Sequence, residues 1–112
     1  MRIVDRKTFL AMPAGTIFAQ GKQWYFGNLE VKGGTIGEND FGYFDPCWVD
    51  AHDSDEAVAR LDEMLSTGRS YPMTDGFARD GSFEDDAIFM IFERDDLIRF
   101  RKHIDIAIKI QE

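Results

Sequence analysis

The chain has 112 residues, 44% hydrophobic, 13% aromatic and 30% charged, with a formal net charge of −8. This size and aromatic content specify one domain, residues 1–112, that buries a core without metal or disulfides, and they exclude a disordered chain. The acidity argues against anionic membranes and against direct nucleic-acid binding, and the longest purely apolar run, Ala87–Phe92, is far too short to span a bilayer.

The net charge is not spread evenly. Between Gly33 and Gly68 lie nine carboxylates and one cation, Arg60, while the remaining residues balance at twelve acids and twelve bases. Such an asymmetry speaks to partners and association rates rather than to fold. Cys47 is the only cysteine, so no internal bridge can form, which suits a reducing cytoplasm. The opening residues are basic, but Pro13 and Gly15 interrupt them before an apolar signal-peptide core can develop.

In chain order, Ile3-Val4 open a short strand and Asp5 caps one or two helical turns over Arg6–Ala11, with Phe9 and Leu10 inward. Pro13-Ala14-Gly15 ends that segment. Thr16–Ala19 reads as a strand and Gly21-Lys22 as a turn. Gln23–Lys32 reads as an aromatic strand bent near Gly27-Asn28, its Trp24-Tyr25-Phe26 run assigned to the core. Gly33-Gly34 reads as a hairpin turn, followed by Thr35-Ile36 and a strand from Asp40 or Phe41 to about Val49. Links this short imply antiparallel neighbours.

Asp53-Ser54-Asp55-Glu56 is a capping box with extra carboxylates at the positive end of a helix dipole. The helix it starts runs from Ser54 to about Thr67, with Gly68 as the residue after its end. Val58, Leu61, Met64 and Leu65 share one face, expected to pack on the sheet, and Asp55, Glu56, Asp62 and Glu63 lie roughly opposite. Residues 69–86, with Pro72, Asp75-Gly76 and Asp80-Gly81, read as a long, partly anchored loop. Ala87–Phe92 reads as a central strand buried on both faces. Asp95 or Asp96 then caps a helix carrying Leu97, Phe100, Ile104 and Ile108 on its inner face. Ile104, Ile106, Ile108 and Ile110 also alternate as a strand would; the helix is preferred because Leu97–His103 fits only that. It leaves Ile106 and Ile110 outside, a possible homodimer contact.

The expected fold is therefore α+β: a single domain with an antiparallel sheet of four or five strands and two main helices, about 54–67 and 95–110, packed against it.

Few residues point to chemistry. Cys47 and His52 stand among Asp45, Asp50 and Asp53, a composition that could serve a thiolate–imidazole pair or a metal. Nearby carboxylates raise a thiol's pKa, however, and no CxxC or HxxxH accompanies them, so an ordinary half-buried cysteine is the preferred reading. The acidic 50–56 segment lacks the sixth-position glycine and twelfth-position glutamate of a calcium loop. The 33–37 glycines lack a phosphate loop's lysine and helix. His103, between cations, reads as a surface residue. No catalytic residue, cofactor or metal is expected.

The opening, Phe9-Leu10-Ala11-Met12-Pro13-Ala14-Gly15-Thr16-Ile17-Phe18, resembles that of small uncharacterised phage and prophage proteins, in which a Pro-x-Gly-Thr turn leads into the first sheet strand. The strand-then-helix ending around Phe89–Leu97 is similar too. The resemblance covers about a third of the chain and transfers no catalytic residue. It implies a phage-encoded accessory protein of the host cytoplasm, a setting in which small acidic proteins inhibit nucleases or CRISPR complexes as nucleic-acid mimics.

The functional expectation is a non-catalytic module that docks on a protein partner with a basic surface, through Asp45, Asp50, Asp53, Asp55, Glu56, Asp62 and Glu63, with Trp48 or Phe44 as anchors. The alternatives are a self-assembling accessory protein, or a small metal- or thiol-dependent enzyme using Cys47 and His52.

Overall fold

A computed structural model describes all 112 residues. Seven strands and three helices follow as β1 (Arg2–Asp5), α1 (Arg6–Leu10), β2 (Ile17–Lys22), β3 (Tyr25–Phe26), β4 (Glu30–Ile36), β5 (Asp40–Val49), α2 (Ser54–Thr67), β6 (Met73–Arg79), β7 (Ile88–Ile91) and α3 (Arg94–Gln111). The fold is α+β. The strands form one sheet in the order β1-β7-β2-β4-β5-β6, with β3 paired to β2, and every pair is antiparallel.

The core is a phenylalanine cluster under α1. Asp5 starts that helix as expected, its Oδ1 accepting the Thr8 N–H at 2.8 Å. One turn then places Phe9 flat on Phe89, ring centroids 4.0 Å apart, with Phe18 tilted and Phe41 edge-on against it. Arg6, also buried, ties α1 to the far side of the sheet. Its Nε donates to Asn39 Oδ1 at 2.9 Å and its Nη2 to Asp80 Oδ2 at 2.9 Å. The buried Lys32 ammonium lies 5.6 Å from the Phe9 ring centroid, and its desolvation lowers its pKa.

The sheet exceeds the expected four or five strands because residues 69–86 are not simply a loop. Met73–Arg79 pairs along β5, so its backbone is satisfied by a ladder that its turn-forming composition concealed. Asp75-Gly76 sits inside this strand. Gly76 is opposite Asp45, and a Cβ there would come within 3.0 Å of the Trp48 ring, so the glycine admits the indole. The Asp45–Trp48 stretch of β5 is bulged, with Pro46 where no ladder donor is needed and Asp45 Oδ1 accepting the Cys47 N–H at 2.9 Å.

Two turns move from their expected places. Gly33-Gly34 lies within β4 at a register shift, and the reversal into β5 uses Gly37 at φ 63°. The β2–β3 reversal uses Gln23 and Trp24, both at positive φ, rather than Gly21-Lys22. It carries Trp24 and Tyr25 out of the core; Trp24 is 83% exposed. The aromatic strand expected over 23–32 is accordingly split into β3 and β4. β7 lies inside the sheet between β1 and β2 but is fully buried on one face only, through Phe89 and Ile91.

α3 confirms helix over strand for residues 103–110, yet it does not pack against the sheet. Its start is Glu93, not Asp95 or Asp96: Asp96 closes a capping box on the Glu93 N–H and also takes the terminal ammonium of Met1 at 2.7 Å. Phe100 touches Phe92, and every residue from Arg99 onward is exposed. Ile106 and Ile110 are outside as expected, but so are Ile104 and Ile108. The radius of gyration, 16.2 Å, exceeds the roughly 13 Å of a compact chain this long because α3 projects from the body. No helix is long and apolar enough to cross a membrane.

Candidate docking surface at the acidic end

α2 joins β5 to β6 at the end of a two-stranded arm. Asp53 caps it, Oδ1 accepting the Glu56 N–H at 2.8 Å, and Gly68 ends it at φ 73°, where a side chain would be strained. Its orientation differs from the expected one. The helix is rotated by roughly a quarter turn, so that Ala57, Arg60 and Met64 face the arm, while Val58, Leu61 and Leu65 are uncovered. Leu65 is 88% exposed.

Polar contacts hold α2 in this orientation. The Arg60 guanidinium sits 4.8 Å from the Tyr71 ring centroid, donates to the Asp50 carbonyl and pairs with Glu56 at 2.7 Å. Glu63 accepts from Arg69 at 3.1 Å and from the Tyr71 hydroxyl, and these donors hold its carboxyl below its ordinary pKa. Arg60 and Glu63 can engage Tyr71 only if their side of the helix faces the arm.

The seven candidate carboxylates thus divide into two groups. Asp45 holds the bulge, Asp53 caps, and Glu56 and Glu63 are engaged by arginines and a tyrosine. Asp50, Asp55 and Asp62 are exposed and make no side-chain hydrogen bond or ion pair. Beside them, β5, β6 and α2 form an apolar cleft of about 210 Å³ lined by Trp48, Leu61, Met64 and Met73, with Trp48 49% exposed. Phe44 is half-buried, turned against Phe77 with centroids 5.3 Å apart.

Cys47 also lines this cleft. It is exposed rather than half-buried, because the bulge turns it outward, and His52 is exposed beyond the strand end. Neither side chain is hydrogen-bonded, and no three His, Cys, Asp or Glu side chains converge with the geometry of a metal site.

A second concavity was not legible in the sequence. Glu30, Tyr43, Asp45 and Trp48 line a groove of about 640 Å³ across β4, β5 and β6. The pairings Phe18–Glu30 and Lys32–Tyr43 put Glu30 and Tyr43 on the core face, just past the part that α1 covers. Burial, with the nearby Asp45 and Asp80 charges, raises the Glu30 pKa from 4.5 to about 7. Burial, and after it the charges of Glu30, Asp80 and Asp45, raise that of Tyr43. Only strand register brings Glu30 and Asp45 together.

Between about pH 4.5 and 7 the native state holds a proton on Glu30 that the unfolded chain has released, so stability falls as pH rises through that window. Glu30→Gln is expected to flatten this dependence and to raise stability at pH 8 by about 1–2 kcal/mol after allowance for screening by water. Urea midpoints for both proteins at low and high pH check it; parallel curves would contradict the assignment.

Comparison with known proteins returns no matching protein family, no matching curated protein and no matching solved structure.

Proposed function

We propose that the protein is a non-catalytic binding module that docks its acidic end on a basic protein surface. The observation that carries this reading is the set of unengaged carboxylates, Asp50, Asp55 and Asp62, around the uncovered Trp48, Val58, Leu61 and Met73. Carboxylates without internal partners steer a cationic partner and set the register of docking, while desolvated aromatic and aliphatic side chains supply the affinity. Carboxylates arrayed along a helix can also take the places of nucleic-acid phosphates in a basic groove. The specific role proposed is that of a phage-type inhibitor acting in the host cytoplasm on a nucleic-acid-handling or CRISPR complex, in line with the resemblance of the opening residues.

The test is affinity capture from host lysate at low and high salt, with the wild type and an Asp50→Asn/Asp55→Asn/Asp62→Asn variant. These three side chains make no hydrogen bond or ion pair inside the fold, so the variant should keep the fold and lose at most the roughly 0.3–1 kcal/mol that Asp55 contributes at the start of α2. It is expected to recover at least tenfold less of a nucleic-acid-handling complex, with a shallower salt dependence. Equal recovery by both proteins would refute the reading.

A further inference from the structure

α3 is an 18-residue helix, about 27 Å long, with no buried residue. Helical stability in proteins comes mostly from packing an apolar face rather than from propensity. α3 has such a face. Leu97, Phe100, Ile104 and Ile108 fall on one stripe by helical spacing, and only the first turns of that stripe meet the body. The charges along its free part, Arg99, Arg101, Lys102 and Lys109 against Asp105, are predominantly positive.

α2 offers the opposite surface. Its uncovered Val58, Leu61 and Leu65 form a stripe one residue wide over two turns, and Asp55 and Asp62 run along one side of it. Within one molecule the two helices cannot satisfy each other. α3 leaves from β7, next to the β1 edge, whereas α2 joins the two strands at the other edge, and α3 is exposed along its whole free length.

We infer that the occupant of the α2 stripe is α3 of a second copy of this chain, exchanged reciprocally about a two-fold axis. The charges select this pairing. α3 against α3 would oppose four cations to four, and α2 against α2 would oppose carboxylates to carboxylates. Only α3 against α2 covers both apolar stripes while placing Arg101 and Lys109 beside Asp55 and Asp62. A two-fold arrangement makes the contact twice and closes, leaving neither stripe exposed to further copies. The inference rests on the reading of the α2 end as a docking face and gives that face its occupant. A foreign basic surface would then bind by displacing one cationic helix.

Mass measurement by light scattering during gel filtration tests this, with two double variants: Ile104→Glu/Ile108→Glu on α3 and Leu61→Glu/Leu65→Glu on α2. All four positions are exposed in one molecule, and circular dichroism checks that the sheet is retained. The wild type is expected at twice the 12.9 kDa of one chain, with dissociation promoted by salt, and each variant at 12.9 kDa. Mixing the two variants should restore a dimer, because one α3–α2 contact of the pair is then intact. A wild type that stays monomeric at the highest attainable concentration would overturn the inference, as would an α2 variant that stays dimeric. The capture experiment keeps the two readings apart. A monomeric wild type that still recovers a complex through Asp50, Asp55 and Asp62 removes the exchanged helix and leaves the proposed function standing.

Discussion

Phe9→Ala is expected to cost about 3–5 kcal/mol of folding stability, the upper range for removing a buried aromatic side chain. Phe9 is fully buried and is the only large side chain of α1 in the phenylalanine cluster, touching Phe18, Phe41 and Phe89 at once. Its loss leaves a cavity walled by rings held in the sheet, which cannot collapse to fill it. It also loosens α1, which is one turn long and is then held only by the Asp5 cap and the Arg6 contacts. The fully buried cluster contains only six residues, so a loss of this size is a large share of the roughly 5–15 kcal/mol that stabilises a typical domain. Urea unfolding of the variant checks it. Phe44→Ala, on the half-exposed arm, is the control and should lose distinctly less. Equal losses would mean that the arm holds the fold as firmly as the α1 layer does.

Asp80→Ala is expected to destabilise by a similar amount, about 3–5 kcal/mol, for an electrostatic reason. The Arg6–Asp80 ion pair is nearly removed from water, with side-chain exposures of 3% and 7%. Asp80 also accepts from Ser82 Oγ at 3.0 Å and, more weakly, from Gln20 Nε2 at 3.4 Å. Arg6 keeps its Asn39 contacts, but its Nη1 already lacks a partner, so losing Asp80 leaves a buried guanidinium without a counter-charge. The cost lies in the stranded charge rather than in the worth of the pair. An Arg6→Met/Asp80→Ala double variant should therefore recover at least half of the loss. Denaturant curves of the single and double variants decide it; additive losses would show that the two side chains are not coupled and would contradict the stranded-charge account. A spectroscopic titration of Glu30 in Asp80→Ala adds a second readout, because removing the Asp80 charge should lower that carboxyl's pKa.

The same principle explains how Asp40 is treated close by, at the start of β5. It is buried yet ionised, because Arg79 and the Gly81 N–H donate to it and hold its pKa down to about 2. A group depressed in this way supports the fold at neutral pH and withdraws that support as pH falls from about 4 toward 2. Glu30, raised rather than lowered, acts in the opposite direction over a higher range. The two carboxyls differ in whether a donor faces the charge. Asp40 has two such partners, whereas Glu30 faces further carboxylates.

How much of this was legible in the chain depended on the range of the interaction. The caps at Asp5 and Asp53, the stop at Gly68, the antiparallel pairing and the inward Phe9 are decided within a few residues, and composition and spacing determined them along with the α+β class. The acidic segment was legible too, since charge needs no fold to be counted. The rest was settled by groups distant in sequence. β6 is a strand because β5 offers a ladder, which outweighs the turn propensity of Asp75-Gly76. The α2 helix is turned so that Arg60 and Glu63 meet Tyr71, a residue beyond the end of the helix, and Val58, Leu61 and Leu65 are left outside. That rotation, not the amphipathic pattern, left an apolar stripe beside free carboxylates. The groove exists because register aligns Glu30 with Asp45. Local propensity acts over about one helical turn and specified the elements; ion pairs, ladders and stacked rings act across the sheet, and only the tertiary structure could decide which faces they leave open.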